Sequence, residues 1–372
     1  MNSAVLRVDG QRLSGWLSVE VHASLEALSA EVTLGVVLES TATLPPVIRG
    51  QELIFELGGQ RAISGYVRAV KCRISGDDLA VTITGRDYTA DLVDCAAIHK
   101  SGAWKNTTLE RIARDLCEPF KVEVVWNVAD ATASQPFPTF KLDHSETVFE
   151  ALSRAARQRG VIMTRDVFGR VVFTEPGMGG TADALVLGDN LLECEYTDDD
   201  SDRFSVYQVV GDAGGGDLLG ASMTLEQVST VATFVDAGVP RWRPKQVWSS
   251  TSTGKIKARN QAQAEQARGL SQGQRVTAKV RGWQQTSGHL WESNWMTTIT
   301  ARPLGLDAKE QLIVGVLLGL DDDGGEVATL TLAPKSGYDL PRDIDPAAQA
   351  TAISQIGLTQ EEFDKRIPPG NF

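Results

Sequence analysis

The sequence lacks the features that mark a metal site, a disulfide framework or a membrane span. Its four cysteines, Cys72, Cys95, Cys117 and Cys194, include no C-x-x-C pair, so neither a zinc knuckle nor a redox motif is indicated. The four histidines show no H-x-x-x-H or H-E-x-x-H spacing, and we expect no metal and no cofactor. No basic N-terminal stretch leads into an apolar run, and no run approaches about eighteen apolar residues. We therefore expect a protein that is neither conventionally secreted nor integral to a membrane.

Motifs of common active sites are missing as well. The run GLSQG at 269–273 fits the pattern of a nucleophile elbow, but that elbow needs a strand before the serine and a helix after it. Here a predicted helix ends first, and we interpret Gly269 as its C-cap. Two acidic runs, 198–202 and 321–326, lack the alternating ligand positions of a calcium loop and predict a solvated loop and a hairpin turn. We predict no catalytic residue and no enzymatic activity.

Charge is present in excess but is unevenly spread. The 372 residues carry a formal net charge of -12, which argues against general affinity for nucleic acid. Residues 241–281 nevertheless hold ten Lys or Arg against Glu265 alone. Such asymmetry is typical of a surface for an acidic partner or a nucleic-acid path, and also of a solvated face. The candidate interface residues in this basic segment are Arg241, Arg243, Lys255, Lys257 and Arg259.

Alternating apolar and polar residues predict a mainly β chain with an α/β insertion. Runs such as LSVEVHA and LAVTITGRD, separated by Gly and Asp turns, predict antiparallel hairpins. We divide the chain into a first tube-like β-barrel domain (1–98), an α/β insertion (99–184), a second tube-like β-barrel domain with a basic helical insertion (185–340) and a C-terminal docking tail (341–372). The tail has too few apolar residues to form a core alone, so we expect it to be ordered only against another surface.

The insertion is predicted from two helix-then-strand units. Thr107-x-x-Glu110 and Thr147-x-x-Glu150 each match a capping box before an apolar helical face. The glycine-rich PGMGG at 176–180 predicts a flexible exit from this domain. Half of a LysM-like pattern is visible in each unit, which would imply glycan contact, although core helices explain the same residues.

Three tryptophans, Trp283, Trp291 and Trp295, lie within fifteen residues, RGWQQTSGHLWESNW. Flat aromatic rings suit a sugar platform, a nucleic-acid stacking surface or a buried framework. Because these tryptophans flank a predicted hairpin between two strands, framework packing is the preferred interpretation.

Seven stretches together resemble the baseplate hub proteins of Mu-like phages, often called tail protein P. They run in order across roughly residues 5 to 340 and are GRDYTADLVDCAA, AWKNTTLERIARDLC, SETVFEALSRAARQRGV, DRFSVYQVVG, VPRWRPK, RGWQQTSGHLWESN and LIVGVLLGLDDDGGEVATLTLAPKSGY. The resemblance implies a trimer whose six tube-like barrels form a pseudo-sixfold ring between the sixfold tail tube and the threefold membrane-piercing spike.

That resemblance also implies partners and a location. The partners are a homotrimer, the tail tube protein, the central spike protein and other baseplate proteins, with a route for phage DNA through the ring. The expected location is the virion tail baseplate, assembled in the host cytoplasm. Structural roles are expected where the first barrel meets the helices, at Gly85, Arg86, Asp91, Leu92 and Asp94, with Arg86 pairing with a carboxylate.

Two other functions stay open at this point. The tryptophans and the partial LysM likeness favour a peptidoglycan-binding or peptidoglycan-cleaving tail protein. A tube or adaptor protein one layer away from the hub would share the β-rich pattern.

Overall fold

The computed structural model of the chain describes residues 4–129, 131–212, 228–248, 255–320, 325–339, 354 and 357–366. The chain divides into two compact units. One consists of Met1–Tyr196 and Val276–Ala333, and the other of Thr197–Arg275 and Pro334–Phe372.

The strands, in chain order, are β1 (Val5–Val8), β2 (Gln11–Leu13), β3 (Ser18–Ser24), β4 (Glu31–Glu39), β5 (Glu52–Leu57), β6 (Gln60–Ser75), β7 (Asp78–Asp87), β8 (Ala103–Thr107), β9 (Val124–Asn127), β10 (Phe137–Lys141), β11 (Ile162–Arg165), β12 (Val171–Thr174), β13 (Gly180–Thr181), β14 (Leu185–Val186), β15 (Leu191–Asp198), β16 (Val206–Asp212), β17 (Val228–Val235), β18 (Pro244–Trp248), β19 (Gln274–Arg281), β20 (Trp295–Ala301), β21 (Leu306–Leu320) and β22 (Glu326–Ala333). The α-helices are α1 (Ala90–Asp94), α2 (Leu109–Cys117), α3 (Val148–Arg159), α4 (Lys255–Gly273) and α5 (Gln360–Arg366).

A single 14-stranded sheet organises the first unit. Its order is β15-β19-β22-β21-β3-β4-β7-β6-β5-β1-β2, and β20 joins it by pairing with β21 and with the short strands β13 and β14. The alternation seen in the sequence is the alternation of burial: in β7, Leu79, Val81 and Ile83 point into the core while their neighbours are more exposed. The prediction of a mainly β chain is confirmed.

The two predicted β bodies share this sheet and its core. Strand β3 pairs antiparallel with β21, which places Ser24 opposite Gly315. One cluster of buried side chains includes Leu6 and Phe55 from the N-terminal part and Leu330 from the C-terminal part. Strand periodicity locates each strand but carries no information about a partner far away in the chain, so this joint pairing was not predictable from the pattern.

One strand order occurs twice within the sheet. Five adjacent strands lie in the order β5-β6-β7-β4-β3, and another five lie in the order β20-β21-β22-β19-β15. In each set the last strand named comes first along the chain, followed by the fourth, first, second and third. The long strands β6 and β21 also carry a bulge at the corresponding place. The register of β6 against β7 shifts between Val67 and Ala69, and that of β21 against β22 shifts between Ile313 and Gly315. The chain therefore contains an internal repeat of five strands, with residues 197–275 of the second unit inserted between the first two strands of the second copy.

The α/β insertion lies between β7 and β13. It holds a two-stranded sheet, β10-β8, a three-stranded sheet, β11-β12-β9, and the helices α1 to α3. Its core contains Ile112, Leu152 and Phe173, and it also takes in Leu92 from α1. The insertion therefore begins, in packing terms, before residue 99.

The start of α3 agrees with its predicted capping box, whereas the start of α2 differs by one residue. Thr147 accepts a hydrogen bond from the Glu150 N–H, and the Glu150 carboxylate accepts one from the Thr147 N–H. In α2 the N-cap is Thr108, which accepts from the Arg111 N–H, while Thr107 ends β8. Glu110 lies three residues after Thr107 and Arg111 lies three residues after Thr108, so the capping-box pattern selected the wrong one of two adjacent threonines.

The second unit has its own sheet, in the order β17-β16-β18, with α4 packed on β16 and β17. These strands were expected in the second barrel. Tyr207 and Val209 of β16 pack against Ala262 of α4, and burial raises the pKa of Tyr207 to about 12. In the same unit, Arg203 donates to both carboxylate oxygens of Asp236, at 2.7 and 2.9 Å.

Candidate structural and interface sites

The buried carboxylate of Asp87 is the best-connected polar group where the sheet meets the insertion. It is 1% exposed and accepts hydrogen bonds from the Ala30 N–H (2.8 Å), the Thr89 N–H (3.1 Å) and the Thr89 hydroxyl (2.6 Å). The Arg165 Nε lies 3.7 Å from it and supplies a compensating charge from β11. Asp87 thus ties together β7, the turn before β4 and the insertion, and we identify it as a framework residue.

Beside it, the predicted pairing of Arg86 with a carboxylate is present. Arg86 Nη1 lies 3.0 Å from Asp94 Oδ2, and Arg68 Nη1 approaches the same oxygen at 3.4 Å. The Asp94 side chain is 47% exposed, so each pair contributes little to stability.

The remaining residues of this stretch take different places. Gly85 faces the sheet core, where an added Cβ would lie 2.2 Å from a methyl carbon of Leu53. Leu92 is completely buried in the insertion core, whereas Asp91 is exposed on α1.

Two of the three tryptophans are interior. Trp283 is 1% exposed, and its Nε1 donates to the Gly319 carbonyl at 2.6 Å. Trp291 is 3% exposed; among the described residues its Nε1 has no hydrogen-bond partner, and the residue lines a small pocket of about 60 Å³. Neither ring offers a face to a sugar or a base.

The third tryptophan, Trp295, lies against the backbone where the chain leaves the insertion. A Cβ on Gly179 would lie 2.4 Å from Trp295 Cδ1, so only glycine lets the backbone pass this ring. Next to it, Asn294 Oδ1 accepts from the Gly177 N–H (2.8 Å) and the Asn294 carbonyl accepts from the Gly179 N–H (3.0 Å). The PGMGG stretch was expected to be a flexible exit, but these contacts fix it.

The turn of the tryptophan motif makes two further attachments. Asp183 accepts from both the N–H and the hydroxyl of Thr286, at 2.6 and 2.9 Å. Gln60, at the start of β6, donates to the Gly288 carbonyl. The motif therefore joins the β5–β6 hairpin, the exit from the insertion and β20, which explains its concentration of large and polar side chains.

The basic segment is partly neutralised within the second unit. Arg241 and Arg243 both pair with the carboxylate of Asp200, at 2.5 and 3.1 Å, and Lys245 pairs with Glu265 at 3.1 Å. The acidic run expected to be a solvated loop thus supplies the counter-charge.

The other candidate residues of the basic segment lie on α4. Arg259 is half-buried, and the side chains of Lys255 and Lys257 lie outside the described residues.

Helix α4 runs through the GLSQG stretch instead of ending at Gly269. A Cβ on Gly269 would lie 2.6 Å from the Asp202 carbonyl oxygen, and one on Gly273 would lie 2.1 Å from that of Asp199. These glycines therefore allow close approach of the helix to the acidic loop. Ser271 is 3% exposed and donates to the Arg268 carbonyl at 2.9 Å, as expected of a helix residue and unlike an elbow nucleophile.

Across the described ranges, no group of three or more His, Cys, Asp or Glu is placed to hold a metal ion. The four cysteines are free thiols, and burial raises the pKa of Cys117 to about 12. None of the helices in the described part of the chain is both long and apolar enough to cross a bilayer.

Three family models match the chain. They are Mu phage baseplate assembly protein GpP-like, N-terminal, over residues 3–87; Baseplate hub protein gp44-like, second domain, over 89–175; and Mu phage baseplate assembly protein GpP, fourth domain, over 253–341.

Two solved structures share the fold. The chain matches the 43 kDa tail protein of prophage MuSo2 from Shewanella oneidensis with a TM-score of 0.81 and 30% identity, covering 90% of this chain and 99% of that one. It matches the tail protein from Neisseria meningitidis MC58 with a TM-score of 0.76 and 19% identity, covering 90% and 97%. The second likeness concerns the fold alone.

A curated relative extends the similarity over almost the full length. The baseplate hub protein gp44 of Escherichia phage Mu is 38% identical over 370 residues, which cover 99% of this chain and 97% of that protein. The chain belongs to the family of baseplate hub proteins of Mu-like phages.

Proposed function

We propose that the protein is a structural hub of a phage tail baseplate and acts as a trimeric adaptor between the tail tube and the central spike. The observation that carries this proposal is the 38% identity over 370 residues with the baseplate hub protein of phage Mu. Identity over nearly both whole chains argues for a shared architecture and not for one shared module.

The internal repeat supports a role in matching two symmetries. A sixfold tube cannot join a threefold spike through one identical contact per subunit. A chain that contains one strand order twice can offer six quasi-equivalent surfaces from a threefold ring. The tail tube protein, the spike protein and other baseplate proteins are then its partners, and phage DNA passes through the ring.

The same proposal covers location and the absence of catalysis. The protein is assembled in the host cytoplasm, resides in the virion tail baseplate and acts without an active site. The tryptophans that motivated a peptidoglycan-binding role do not support it, because Trp283 and Trp291 are interior.

Native mass spectrometry and imaging of tail particles test this function. We expect a species of about 120 kDa, three times the 40.1 kDa of the chain, and density for it between tube and spike. Purified protein should cause no loss of turbidity in a cell-wall suspension. Its absence from tail particles, or clear lysis of cell walls, would reject the proposal.

A further inference from the structure

A small pocket lies where the sheet of the first unit meets the insertion. Its volume is about 60 Å³, and its lining comes from β3, β6, β21, the β11–β12 hairpin and the loop before β20. Four buried apolar side chains of the sheet line it and are 3–8% exposed: Val21, Ala23, Val316 and Leu318. A single water needs about 10–15 Å³, so the pocket has room for a ligand group of several atoms.

One hydrogen-bond donor in this lining lacks a partner. Trp291 is 3% exposed, and among the described residues its Nε1 makes no hydrogen bond. A buried indole N–H usually has an acceptor, because burial removes the hydrogen bond that it would otherwise make to water. The pocket that Trp291 lines is the space in which an acceptor from outside the chain can lie.

The next residue along the chain supplies an acceptor. Glu292 lines the same pocket and is exposed, so it lies at the solvent side of the pocket. Within the described ranges its carboxyl takes part in no hydrogen bond and no ion pair. Burial is the largest effect on the pKa of Glu292 and raises it above the ordinary value of 4.5; Asp166 raises it further, whereas the charges of Arg165 and His289 lower it. Glu292 therefore touches solvent with part of its surface while its carboxyl is held among protein atoms.

Arg165 and Asp166 also line the pocket but already have partners in the protein. Arg165 Nη1 donates to the Ala62 carbonyl at 3.3 Å. Asp166 accepts from Arg170 Nε at 2.6 Å. Besides two hydroxyl side chains of the lining, the indole N–H and the carboxyl described above are therefore the groups with which a ligand would pair.

We propose that this pocket binds the acetamido group of an N-acetylated amino sugar. The acetamido methyl contacts the buried apolar side chains of the lining, its carbonyl oxygen accepts from the Trp291 indole N–H, and its N–H donates to the Glu292 carboxyl. An apolar pocket with one donor and one acceptor matches the methyl, carbonyl and N–H of this group. The site uses the indole N–H and not a ring face, so the burial of the Trp291 ring does not oppose it.

The solvent side of the pocket favours a sugar over an acetylated lysine. Only a small group fits inside, so the rest of the ligand lies beside Glu292 and the half-buried Ser293. Sugar hydroxyls can form hydrogen bonds with these polar side chains, whereas the apolar stem of an acetylated lysine cannot. This binding activity goes beyond the proposed structural hub and does not depend on it.

Titration of the wild-type protein with N-acetylglucosamine tests the site. Trp291→Phe identifies the Trp291 signal among the eight indole N–H signals of a ¹H–¹⁵N spectrum. We expect that signal to move saturably with a Kd of about 1–10 mM, because a small ligand buries few groups. Glucosamine, which lacks the acetyl group, should leave the signal in place. Glu292→Ala should raise the Kd about fivefold or more, and Glu292→Gln, which keeps an oxygen acceptor, should stay within about threefold of wild type.

The matched control is Glu310→Ala, which removes an exposed carboxylate of β21 outside the pocket and should leave the Kd unchanged. If Trp291→Phe does not fold, a crystal structure of the wild-type protein with N-acetylglucosamine locates the acetyl group directly. No movement of any indole signal, equal movement with glucosamine, or only water in the pocket of sugar-soaked crystals would each overturn the proposal. A response to N-acetyl-lysine without one to the sugar would overturn it as well.

Discussion

Asp87 shows how a buried polar residue can be identified from the alternation of inward and outward positions along a strand. In β7 the buried positions are 79, 81, 83, 85 and 87, so the sequence places this aspartate on the inward face. Sequence reasoning selected Arg86 and Asp94, which are the more exposed pair, and missed Asp87. The available signal was an acidic residue on an apolar face, which requires buried partners.

We expect Asp87→Ala to lower the free energy of unfolding by about 3–5 kcal/mol, because it leaves Arg165, two backbone N–H donors and one hydroxyl donor without their acceptor. Asp94→Ala should cost at most about 1 kcal/mol, because its ion pairs are exposed. Urea unfolding at neutral pH measures both. Equal losses would contradict the framework role of Asp87.

Thiol reactivity should distinguish the exposed cysteines from the buried Cys117. Cys72 and Cys95 are exposed, whereas Cys117 is completely buried with a pKa of about 12. Because the thiolate is the reactive form, Cys117 should resist a thiol reagent at pH 8 until the protein is unfolded. Cys117→Ala should therefore show the same fast-reacting thiols as wild type, and loss of one fast thiol in that variant would disprove the assignment.

At the scale of elements, helix starts were predictable to within one residue. The N-cap of α2 is Thr108, so we expect Thr108→Ala to destabilise the protein by about 1 kcal/mol. Thr107→Ala, one position earlier, should have a smaller effect because its exposed hydroxyl donates only to the Lys105 carbonyl. Thermal unfolding compares the two. A larger loss for Thr107→Ala would restore the original assignment.

Glu146, in the loop before α3, should make the stability of the folded protein depend on pH. Burial of Glu146 raises its pKa, but hydrogen bonds from Arg154 and the Asp143 N–H outweigh that effect and bring the pKa below its ordinary value of 4.5. A lowered pKa stabilises the folded state above the ordinary value, and this contribution is lost as the pH falls through the lowered pKa.

The Glu146→Gln variant tests this dependence. It should be less stable than wild type at pH 7, and the difference should shrink as the pH falls below 4.5. Urea unfolding over a pH series measures the difference. A constant difference at every pH would show that Glu146 contributes through packing instead.

At the scale of the whole molecule, the sequence predicted strand positions better than strand partners. The capping box of α3 and the alternation of β7 are local patterns, and both appear in the structure. The β3–β21 pairing and the ion pairs of Asp200 with Arg241 and Arg243 join distant stretches. Such contacts depend on the assembled fold, so each charged run looked unpaired in the sequence.

The C-terminal tail also has contacts within its own unit. Leu358 is 9% exposed, and the Arg366 Cζ lies 5.2 Å from the centre of the Trp242 ring. The predicted tail, 341–372, otherwise lies largely outside the described residues.

We expect truncation after residue 353 to lower the unfolding temperature of the second unit and to leave that of the first unchanged. The two units have separate cores, which permits separate transitions in calorimetry. An equal shift of both transitions would show that the tail supports the first unit as well.

The pairing of β3 with β21 also has a consequence during translation, because β3 is made long before its partner strand. Ser24 donates to the Val314 carbonyl across 290 positions of chain. At about 5–20 residues per second, a ribosome needs roughly 15 to 60 s to make that interval. Throughout that time the backbone N–H and C=O groups on one edge of β3 lack their β21 partner. The protein is therefore most vulnerable to aggregation while it is being translated, and its yield should depend on chaperones and on the speed of elongation.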